Sequence, residues 1–395
     1  MITVTSAREK VVSGTSALPS RIRHLSGALG YVLARDVIAP VPLPSFRQSS
    51  MDGYALNHLD ITGSAMTLPV SGESKAGETQ FQLLAPGTAF RIFTGAPVPE
   101  GATAVVMQER ATRNGDKVTI HEFPVVANRN LRNVGQQINK GEVALPAGTL
   151  LGPGAIGFLG GFGITEVEVH EKPKVVILIT GDELVTAGQP LKHGQIYESN
   201  AAMLIAALEK EGIAGVSVVS TEDSHQAIAD RLGEISEGAD LIIASGGISV
   251  GDYDFVGKAM METGVATVFY KVKQKPGKPL FFGQKDEKLF FALPGNPASS
   301  LVCFYEYVLP ALRKMYGRKD IFLPAYFLPS TKSYSFDGER DEFLKAHVEA
   351  GKVTPLFGQE SFALRSFALA NALIYLPADQ ARVAEGDLVE VHLLP

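Results

Sequence analysis

Apolar and polar residues follow two different patterns along the chain, and the pattern changes near residue 172. Before that point the chain is rich in glycine and proline, and short alternating runs at 117–123 and 165–171 predict antiparallel strands. Apolar residues at helical spacing predict one helix within 16–37, and the run at 153–163 predicts a second, short helix. We therefore expect a β-rich first part with few helices.

From residue 173 to about 317, continuous apolar runs alternate with segments of helical spacing. Strands are predicted at PKVVILIT, AGVSVVS, DLIIAS, ATVFYKV and KLFFALP, and helices at SNAAMLIAALEKEG, DSHQAIADRLGEISEGAD and YDFVGKAMMETG. This alternation predicts a doubly wound, mostly parallel α/β sheet covered on both faces. After residue 318 four short strand-like segments, without a predicted helix, indicate a small all-β domain.

Composition narrows the class of protein. A chain of 395 residues exceeds what one core usually serves, so about two to four domains are expected. The net charge of -6 gives no general field for nucleic acid, so an anionic ligand would need local cationic groups. No signal peptide or membrane span of about 20 apolar residues is recognised, which makes a cytoplasmic location the expectation. The single cysteine, Cys303, lies in an apolar run and is interpreted as a packing residue.

The loops after the predicted strands contain the candidate ligand-binding residues. In a doubly wound sheet, ligands bind beyond the carboxyl ends of the strands. The loops there are GDEL at 181–184, TEDS at 221–224, GGISVGDYD at 246–254, KPGKP at 275–279 and PGNPASS at 294–300. Glycines let backbone amides approach a phosphate, and the lysines supply positive charge. Together these loops predict a site for a phosphate-type anion.

Carboxylates in the same loops would repel such an anion unless a cation lies between them. Hard oxygen ligands beside phosphate favour Mg²⁺. The predicted metal ligands are Asp182, Glu183, Asp252 and Asp254. Each loop alone is also compatible with a plain turn or a helix cap, and their joint occurrence on one edge of the sheet favours the ligand site.

The order of several motifs resembles one family. SSMDGYA at 49–55, GESKAGE at 72–78, RIFTGAPVPEGATAVVMQE at 91–109, SGGISVGDYDFV, KPGKPLFFG and LPGNPASS occur as in molybdopterin molybdenumtransferases, which include the bacterial MoeA proteins and the E domain of gephyrin. The resemblance covers nearly the full chain. It implies the last step of molybdenum cofactor synthesis, in which Mg²⁺, molybdate and adenylylated molybdopterin give the cofactor and AMP.

The resemblance also implies an architecture. It is a homodimer of four-domain subunits, with residues 1–45 and 145–172 in the first domain, 46–144 in a β-rich second domain, 173–317 in the α/β domain and 318–395 in a C-terminal β-barrel. Transient contacts with a molybdopterin adenylyltransferase and with cofactor-accepting enzymes are implied, and neither nucleic acid nor membrane is an expected partner.

Site residues are carried over by motif position. Glu183, Asp254 and Asp52 match acidic active-site residues, while Lys271, Lys275 and Lys278 match a basic cluster for molybdate and phosphate. The residues expected to bind the molybdopterin substrate are Thr94, Gly246, Gly247, Ser249, Gly251, Pro276, Gly277, Gly295, Asn296, Ser299, Lys345 and Ser361.

Three positions depart from the family. LRNVGQQI has Gln136 and Gln137 where an acidic pair is common, so the amides keep hydrogen bonding and lose charge. Lys345 stands where arginine is usual, which removes bidentate binding of an oxyanion.

Three hypotheses follow. The first is a Mg²⁺-dependent molybdenum insertase, the second a carrier of the same fold that binds without hydrolysis, and the third an adenylyltransferase, which the flanking domains disfavour. Molybdate and tungstate are not distinguished by the sequence, because both are tetrahedral dianions of similar size.

Overall fold

The computed structural model describes residues 1–248, 255–335, 338–380 and 382–395. The chain divides into two compact units. The first unit is formed by Met1–Ala34, Gly148–Gly152 and Glu168–Pro395, and the second by Arg35–Ala147 and Pro153–Val167. No helix in the described ranges has the length and apolar character needed to span a membrane.

The helices of the described residues are mostly short. The α-helices are Val4–Gly14 (α1), Pro153–Gly160 (α2), Asn200–Lys210 (α3), His225–Ser236 (α4), Phe255–Glu262 (α5), Pro297–Cys303 (α6), Leu309–Met315 (α7) and Leu364–Ala368 (α8). A π-helical turn at Phe304–Val308 joins α6 to α7, and 3-10 turns occur at Leu25–Gly27, His58–Asp60 and Gln108–Arg110.

Strands occur in both units. Those before residue 173 are Ser20–His24 (β1), Val37–Ile38 (β2), Gln48–Ser49 (β3), Gly53–Leu56 (β4), Met66–Ser74 (β5), Ala89–Ile92 (β6), Ala104–Met107 (β7), Ala111–Asn114 (β8), Lys117–Ile120 (β9), Leu131–Arg132 (β10), Val143–Leu145 (β11) and Glu166–His170 (β12). Those that follow are Val175–Thr180 (β13), Leu184–Val185 (β14), Ile196–Tyr197 (β15), Ser217–Thr221 (β16), Leu241–Ser245 (β17), Ala266–Tyr270 (β18), Gln274–Lys275 (β19), Phe281–Lys285 (β20), Lys288–Leu293 (β21), Ala325–Pro329 (β22), Tyr334–Ser335 (β23), Asp341–Glu349 (β24), Lys352–Pro355 (β25), Ala372–Leu376 (β26), Arg382–Val383 (β27) and Leu388–Leu393 (β28).

The α/β domain of the first unit is built on a six-stranded sheet in the order β16-β13-β17-β21-β20-β18. The first four strands are parallel, and β20 runs antiparallel to both of its neighbours, β21 and β18. Ile177 and Ile179 pack in one core with α3, α6 and α7, whereas Leu178 packs on the opposite face with α4 and α5. Because both faces are covered, β13 is a continuous apolar run. The predicted mostly parallel α/β sheet is confirmed.

The C-terminal domain is a small β-barrel. Strands β24, β26, β28 and β22 pair in that order, β25 adds to β24, and a bridge between Ser330 and Val353 joins the two ends. Alternate residues such as Leu344, Ala346 and Ile374 fill its core. Strand β19 of the α/β domain lies parallel to β24, with Lys275 opposite Glu342. It brings residues 271–279, which we call the lysine loop, to the edge of the barrel.

The second unit contains a six-stranded sheet in the order β7-β4-β6-β5-β9-β8. Gly53 lies so close to β7 that a Cβ atom there would be 1.9 Å from the Val106 carbonyl oxygen. Only glycine fits at this position, and the tight packing fixes where the preceding residue, Asp52, leaves the sheet.

Three local predictions were wrong. Within 16–37 the chain forms β1 and a 3-10 turn, because Ile22 and Leu29 are 71% and 59% exposed and Gly30 adopts a φ of 74°. Helix α1 was missed, although Thr3 caps it by accepting a hydrogen bond from the Ser6 amide at 3.2 Å. Helix α8 was missed as well, because the last domain was expected to have no helix.

Candidate active site

A cavity of about 460 Å³ lies at the carboxyl ends of β13, β17 and β21. This is the edge of a parallel sheet where ligands are expected. The cavity is lined by Ile179, Thr180, Glu183, Leu184, Ile196, Tyr197, Glu198, Ser199, Asn200, Ser245, Gly246, Gly295, Asn296, Pro297 and Phe362. Four of the predicted site residues, Glu183, Gly246, Gly295 and Asn296, therefore meet at one cavity.

Gly246 and Gly247 turn the chain sharply after β17. Their φ angles are 95° and 57°, and a Cβ atom on Gly246 would lie 2.2 Å from the Thr180 carbonyl oxygen. A Cβ atom on Gly247 would lie 2.7 Å from Cγ2 of Val256. Both glycines are thus required by the packing of the protein itself, and their contact with a ligand stays a prediction. The predicted residues Ser249, Gly251, Asp252 and Asp254 lie outside the described residues.

Asn200 joins two edges of the cavity, a role that sequence reasoning missed. Its amide nitrogen donates to Ser245 Oγ at 2.9 Å and to the Gly295 carbonyl oxygen at 2.8 Å. These bonds fix the orientation of the amide. Its Oδ1 is buried and has no hydrogen-bond partner among the described residues. Asn200 is the first residue of α3, which the sequence analysis predicted only as a helix.

The PGNPASS loop meets the loop that carries Ser361. Asn296 Nδ2 donates to Ser361 Oγ at 2.9 Å, and the Ser299 amide donates to the Ser361 carbonyl oxygen at 3.3 Å. The next residue, Phe362, lines the cavity with 67% of its surface exposed. The barrel therefore contributes a hydroxyl group and an aromatic face next to the cavity, and Phe362 was missed by the sequence reasoning.

The lysine loop is anchored from below by buried polar groups. Gln274 Nε2 donates to the Pro276 carbonyl oxygen at 3.0 Å, and Tyr307 donates its hydroxyl hydrogen to Gln274 Oε1. Gly277 has a φ of 87°, and a Cβ atom there would lie 2.6 Å from Cys303 Sγ. Burial raises the pKa of the Cys303 thiol, which agrees with a packing role.

The lysines of this loop have different partners. Lys275 donates to the buried carboxylate of Glu342 at 2.8 Å, so its charge is balanced within the protein. Lys271 adopts a φ of 76° and lies 5.2 Å from the Tyr270 ring centre. Lys278 is half-buried, and its carbonyl oxygen accepts from the Val272 amide at 3.0 Å. Glu342 was not foreseen as the partner of Lys275.

The two predicted metal ligands that the structure describes, Asp182 and Glu183, line different cavities. Asp182 lines a neighbouring cavity of about 840 Å³ together with Thr221, Glu222 and Arg231, whereas Glu183 lines the first cavity. In the part of the chain that the structure describes, no group of three or more His, Cys, Asp or Glu residues could hold a metal ion. Since Asp252 and Asp254 lie outside that part, the four-carboxylate metal site stays a prediction.

Lys345 is fully buried on β24. Its Nζ donates to the carbonyl oxygens of Gly358, Glu360 and Ala363 at 2.7, 3.1 and 3.3 Å. Burial lowers the pKa of this ammonium group, against an opposing effect of Glu360. It is not among the residues that line the cavity.

The remaining predicted residues belong to the second unit. Asp52 Oδ1 accepts from the Thr94 amide and from the Thr94 hydroxyl, both at 2.7 Å, and these bonds lower the pKa of the Asp52 carboxyl group. Gln136 and Gln137 line a cavity of about 550 Å³ within this unit, together with Arg132 and Gln48. The amide groups of Gln136 and Gln137 therefore share this cavity with the guanidinium group of Arg132.

Comparison with known proteins covers almost the whole chain. Residues 2–163 match the MoeA N-terminal region (domain I and II), 176–314 the probable molybdopterin binding domain, and 328–394 the MoeA C-terminal region (domain IV). The molybdopterin molybdenumtransferase of Haemophilus influenzae is 36% identical over 407 residues, covering 100% of both chains. Molybdopterin molybdenumtransferase 2 of Mycobacterium tuberculosis is 36% identical over 378 residues, covering 93% of each.

Solved structures agree with the sequence comparisons. The molybdopterin biosynthesis moeA protein of Pyrococcus horikoshii OT3 superimposes with a TM-score of 0.86 at 28% identity and covers 100% of both chains. The chain therefore belongs to the molybdopterin molybdenumtransferase family.

Proposed function

We propose that this protein inserts molybdenum from molybdate into adenylylated molybdopterin, with Mg²⁺-dependent cleavage of the pyrophosphate bond and release of AMP. Membership of the family makes the chain a molybdenum-transferring enzyme of molybdenum cofactor biosynthesis. The adenylylated substrate, the metal and the hydrolytic step are the parts that we propose.

The proposal rests on a carboxylate and several hydrogen-bond donors that lie around one cavity. Glu183 and Asn296 line the cavity, and the hydroxyl group of Ser361 adjoins it through its hydrogen bond from Asn296. The lysine loop adjoins the same edge, since a Cβ atom on Gly277 would lie 3.5 Å from the Ser299 carbonyl oxygen. Carboxylates next to cationic and neutral donors suit an anion that carries a divalent cation.

Each group then has a defined task. Glu183 and Asp254 would hold Mg²⁺, which suits their hard oxygen donors, and the bound ion would supply neutralisation of phosphate charge. Lys271 and Lys278 would stabilise negative charge on the phosphate and molybdate oxygens. Lys275 would act with its charge partly balanced by Glu342. Asn200 Oδ1 is an acceptor for a donor on the ligand.

The other properties implied by the family stay predictions. They are the homodimer, the cytoplasmic location, contacts with a molybdopterin adenylyltransferase and cofactor-accepting enzymes, and the participation of Asp52 and Thr94. The neutral pair Gln136 and Gln137 favours the second candidate function, a carrier that binds the pterin without cleaving it.

The test is AMP release from adenylylated molybdopterin and Mg²⁺, measured with molybdate, with tungstate and without an oxyanion. We expect release that molybdate stimulates, and a fall of about 100-fold or more in Glu183→Gln. Glu209→Gln, on the exposed face of α3, is the matched control and should keep full activity. Tight binding of the substrate without AMP release would replace the insertase by the carrier.

A further inference from the structure

The surroundings of Lys345 are unusual for a buried cation. An ammonium group has three donors, and all three are used by the carbonyl oxygens of Gly358, Glu360 and Ala363. Among the described residues Lys345 forms no ion pair, and the electrostatic effect of Glu360 only partly opposes the effect of burial. Burying a charge without an ion-pair partner is costly. We therefore look for the role of this ammonium group in the backbone segment that accepts its hydrogen bonds.

The segment that it holds is the loop 356–363. Gln359 ties the same loop to β24 from a second direction, because its Oε1 accepts from the Lys345 amide at 2.9 Å and its Nε2 donates to the Lys345 carbonyl oxygen at 2.9 Å. Ser366 Oγ donates to the Gly358 carbonyl oxygen at 2.6 Å. Side chains therefore hold both the start and the middle of the loop.

The loop carries the two groups that the barrel brings to the cavity. Ser361 bonds to Asn296 and to the amide of Ser299, and Phe362 lines the cavity itself. A displacement of the loop would move a hydroxyl group, an aromatic face and the Asn296 amide together. Lys345 thus reaches the cavity through Ser361 and Phe362, without lining it.

We propose that Lys345 is a positioning residue, which holds the loop 356–363 so that Ser361 and Phe362 meet the substrate, and that it does not bind the oxyanion directly. The proposal rests on the proposed function for the identity of the substrate. An exposed lysine could donate to the oxyanion. The three donors of Lys345 are already bonded to backbone carbonyl oxygens.

The first test is amide hydrogen exchange of the loop 356–363, which does not depend on activity. Lys345→Met should accelerate exchange in this loop by about 10-fold or more and leave β13 and β17 unchanged, because only the loop loses its hydrogen-bond donor. Lys352→Met, at an exposed position of β25 in the same domain, is the matched control and should leave exchange in the loop unchanged. Unchanged exchange in Lys345→Met would overturn the proposal.

The second test is a double-mutant cycle on kcat/KM for AMP release. If Lys345 acts through Ser361, Lys345→Met and Ser361→Ala should each reduce kcat/KM by about 10- to 100-fold, and the double variant should lose little more than either alone. Multiplicative losses would mean that Lys345 touches the substrate itself, which contradicts the proposal. Lys345→Arg keeps a cationic donor and should restore most of kcat/KM, whereas a direct role of arginine in oxyanion binding would raise the affinity for molybdate above that of the wild type.

If Lys345→Met does not fold, Gln359→Leu loosens the same loop without removing a charge. It should give the same exchange and the same non-additivity with Ser361→Ala, and additive losses would count against the proposal. The two proposals fail separately: a wild-type protein without molybdate-stimulated AMP release refutes the insertase, while the exchange measurement still decides the role of Lys345.

Discussion

Charge is buried at two places where the barrel meets the α/β domain, and the two are built differently. The Glu306 cluster consists of Glu306 on the π-helical turn, Arg8 on α1, and His392 and Glu390 on β28. Lys345, in contrast, donates to three carbonyl oxygens and forms no ion pair with any residue that the structure describes. In the Glu306 cluster opposite charges neutralise one another. At Lys345 the charged group instead donates hydrogen bonds to the backbone.

The difference shows in how each group responds to burial. Burial alone would raise the pKa of Glu306, but Arg8 and His392 lower it to about 2. Burial alone would lower the pKa of His392, and Glu306 and Glu390 raise it to about 9. At Lys345 the opposing effect of Glu360 is smaller than that of burial, so its pKa is lowered. We infer that the Glu306 cluster supports stability, while Lys345 supports the shape of one loop.

The largest expected effect comes from breaking the balanced cluster. Glu306→Gln leaves Arg8 and His392 buried without their main counter-charge, and it should lower the free energy of unfolding by about 3–5 kcal/mol. Urea unfolding measures this change. Glu349→Gln, at the exposed end of β24, should change it by less than about 0.5 kcal/mol. A loss in Glu306→Gln no greater than in that control would remove the distinction between the two sites.

The same cluster predicts how stability depends on pH. The carboxyl group of Glu306 has an ordinary pKa of 4.5 and a folded pKa of about 2, so its contribution is complete above pH 4.5 and is lost as the pH falls towards 2. His392 has an ordinary pKa of 6.5 and a folded pKa of about 9, so its contribution is complete below pH 6.5 and is lost as the pH rises through 9. Between these limits both contributions are present.

Urea midpoints measured from pH 3 to pH 10 test this dependence. The alkaline loss assigned to His392 is on the order of 2–3 kcal/mol, and His392→Gln should flatten the curve above pH 6.5. The acid-side loss should become smaller as well, because His392 is one of the groups that lower the pKa of Glu306. An equal alkaline slope in the wild type and the variant would assign the loss to other groups.

The sequence predicted the α/β sheet and part of the candidate site. The continuous run at β13 and the alternation after residue 173 predicted the α/β sheet, because a strand covered on both faces has no polar side. Glu183, Gly246 and Asn296 were predicted at one edge because the loops after parallel strands share an edge.

Partners distant in sequence could not be predicted in this way. Lys275 meets Glu342 across 67 residues, and Gln274 meets Tyr307 across 33, through packing that no local pattern encodes. The type of residue 345 was noted as a departure from the family, but its carbonyl partners follow only from the path of the loop 356–363. The helix predicted within 16–37 was wrong because it relied on apolar residues such as Ile22, which is exposed. Helical spacing alone does not show that a residue is buried.

Glu342 is intermediate in character between the two buried sites, because it has a charged partner that is partly exposed. Its substitution should therefore change the free energy of unfolding less than that of Glu306. It is 1% exposed, but its partner Lys275 has 49% of its side chain exposed, so solvent screens the pair. Glu342→Gln also weakens the bond from the Tyr334 hydroxyl, and we expect a loss of about 1–2 kcal/mol in the free energy of unfolding. Urea unfolding with and without 0.5 M NaCl checks the assignment. The loss should shrink in salt, whereas the loss in Glu306→Gln should not.

The smallest effect concerns Asp52, whose charge is held by hydrogen bonds at an exposed position. The Thr94 amide and then the Thr94 hydroxyl lower the pKa of Asp52, with a minor contribution from Arg91. Thr94→Ala removes the hydroxyl donor and keeps the amide, so the pKa of Asp52 should rise part of the way to its ordinary value. Thr94→Ser should leave it unchanged. Carboxyl NMR titration resolves the shift, and the urea midpoint should not move, because an exposed carboxylate loses only a local bond. A change in the urea midpoint equal to that of Glu342→Gln would show that Asp52 is part of the packed structure of the second unit.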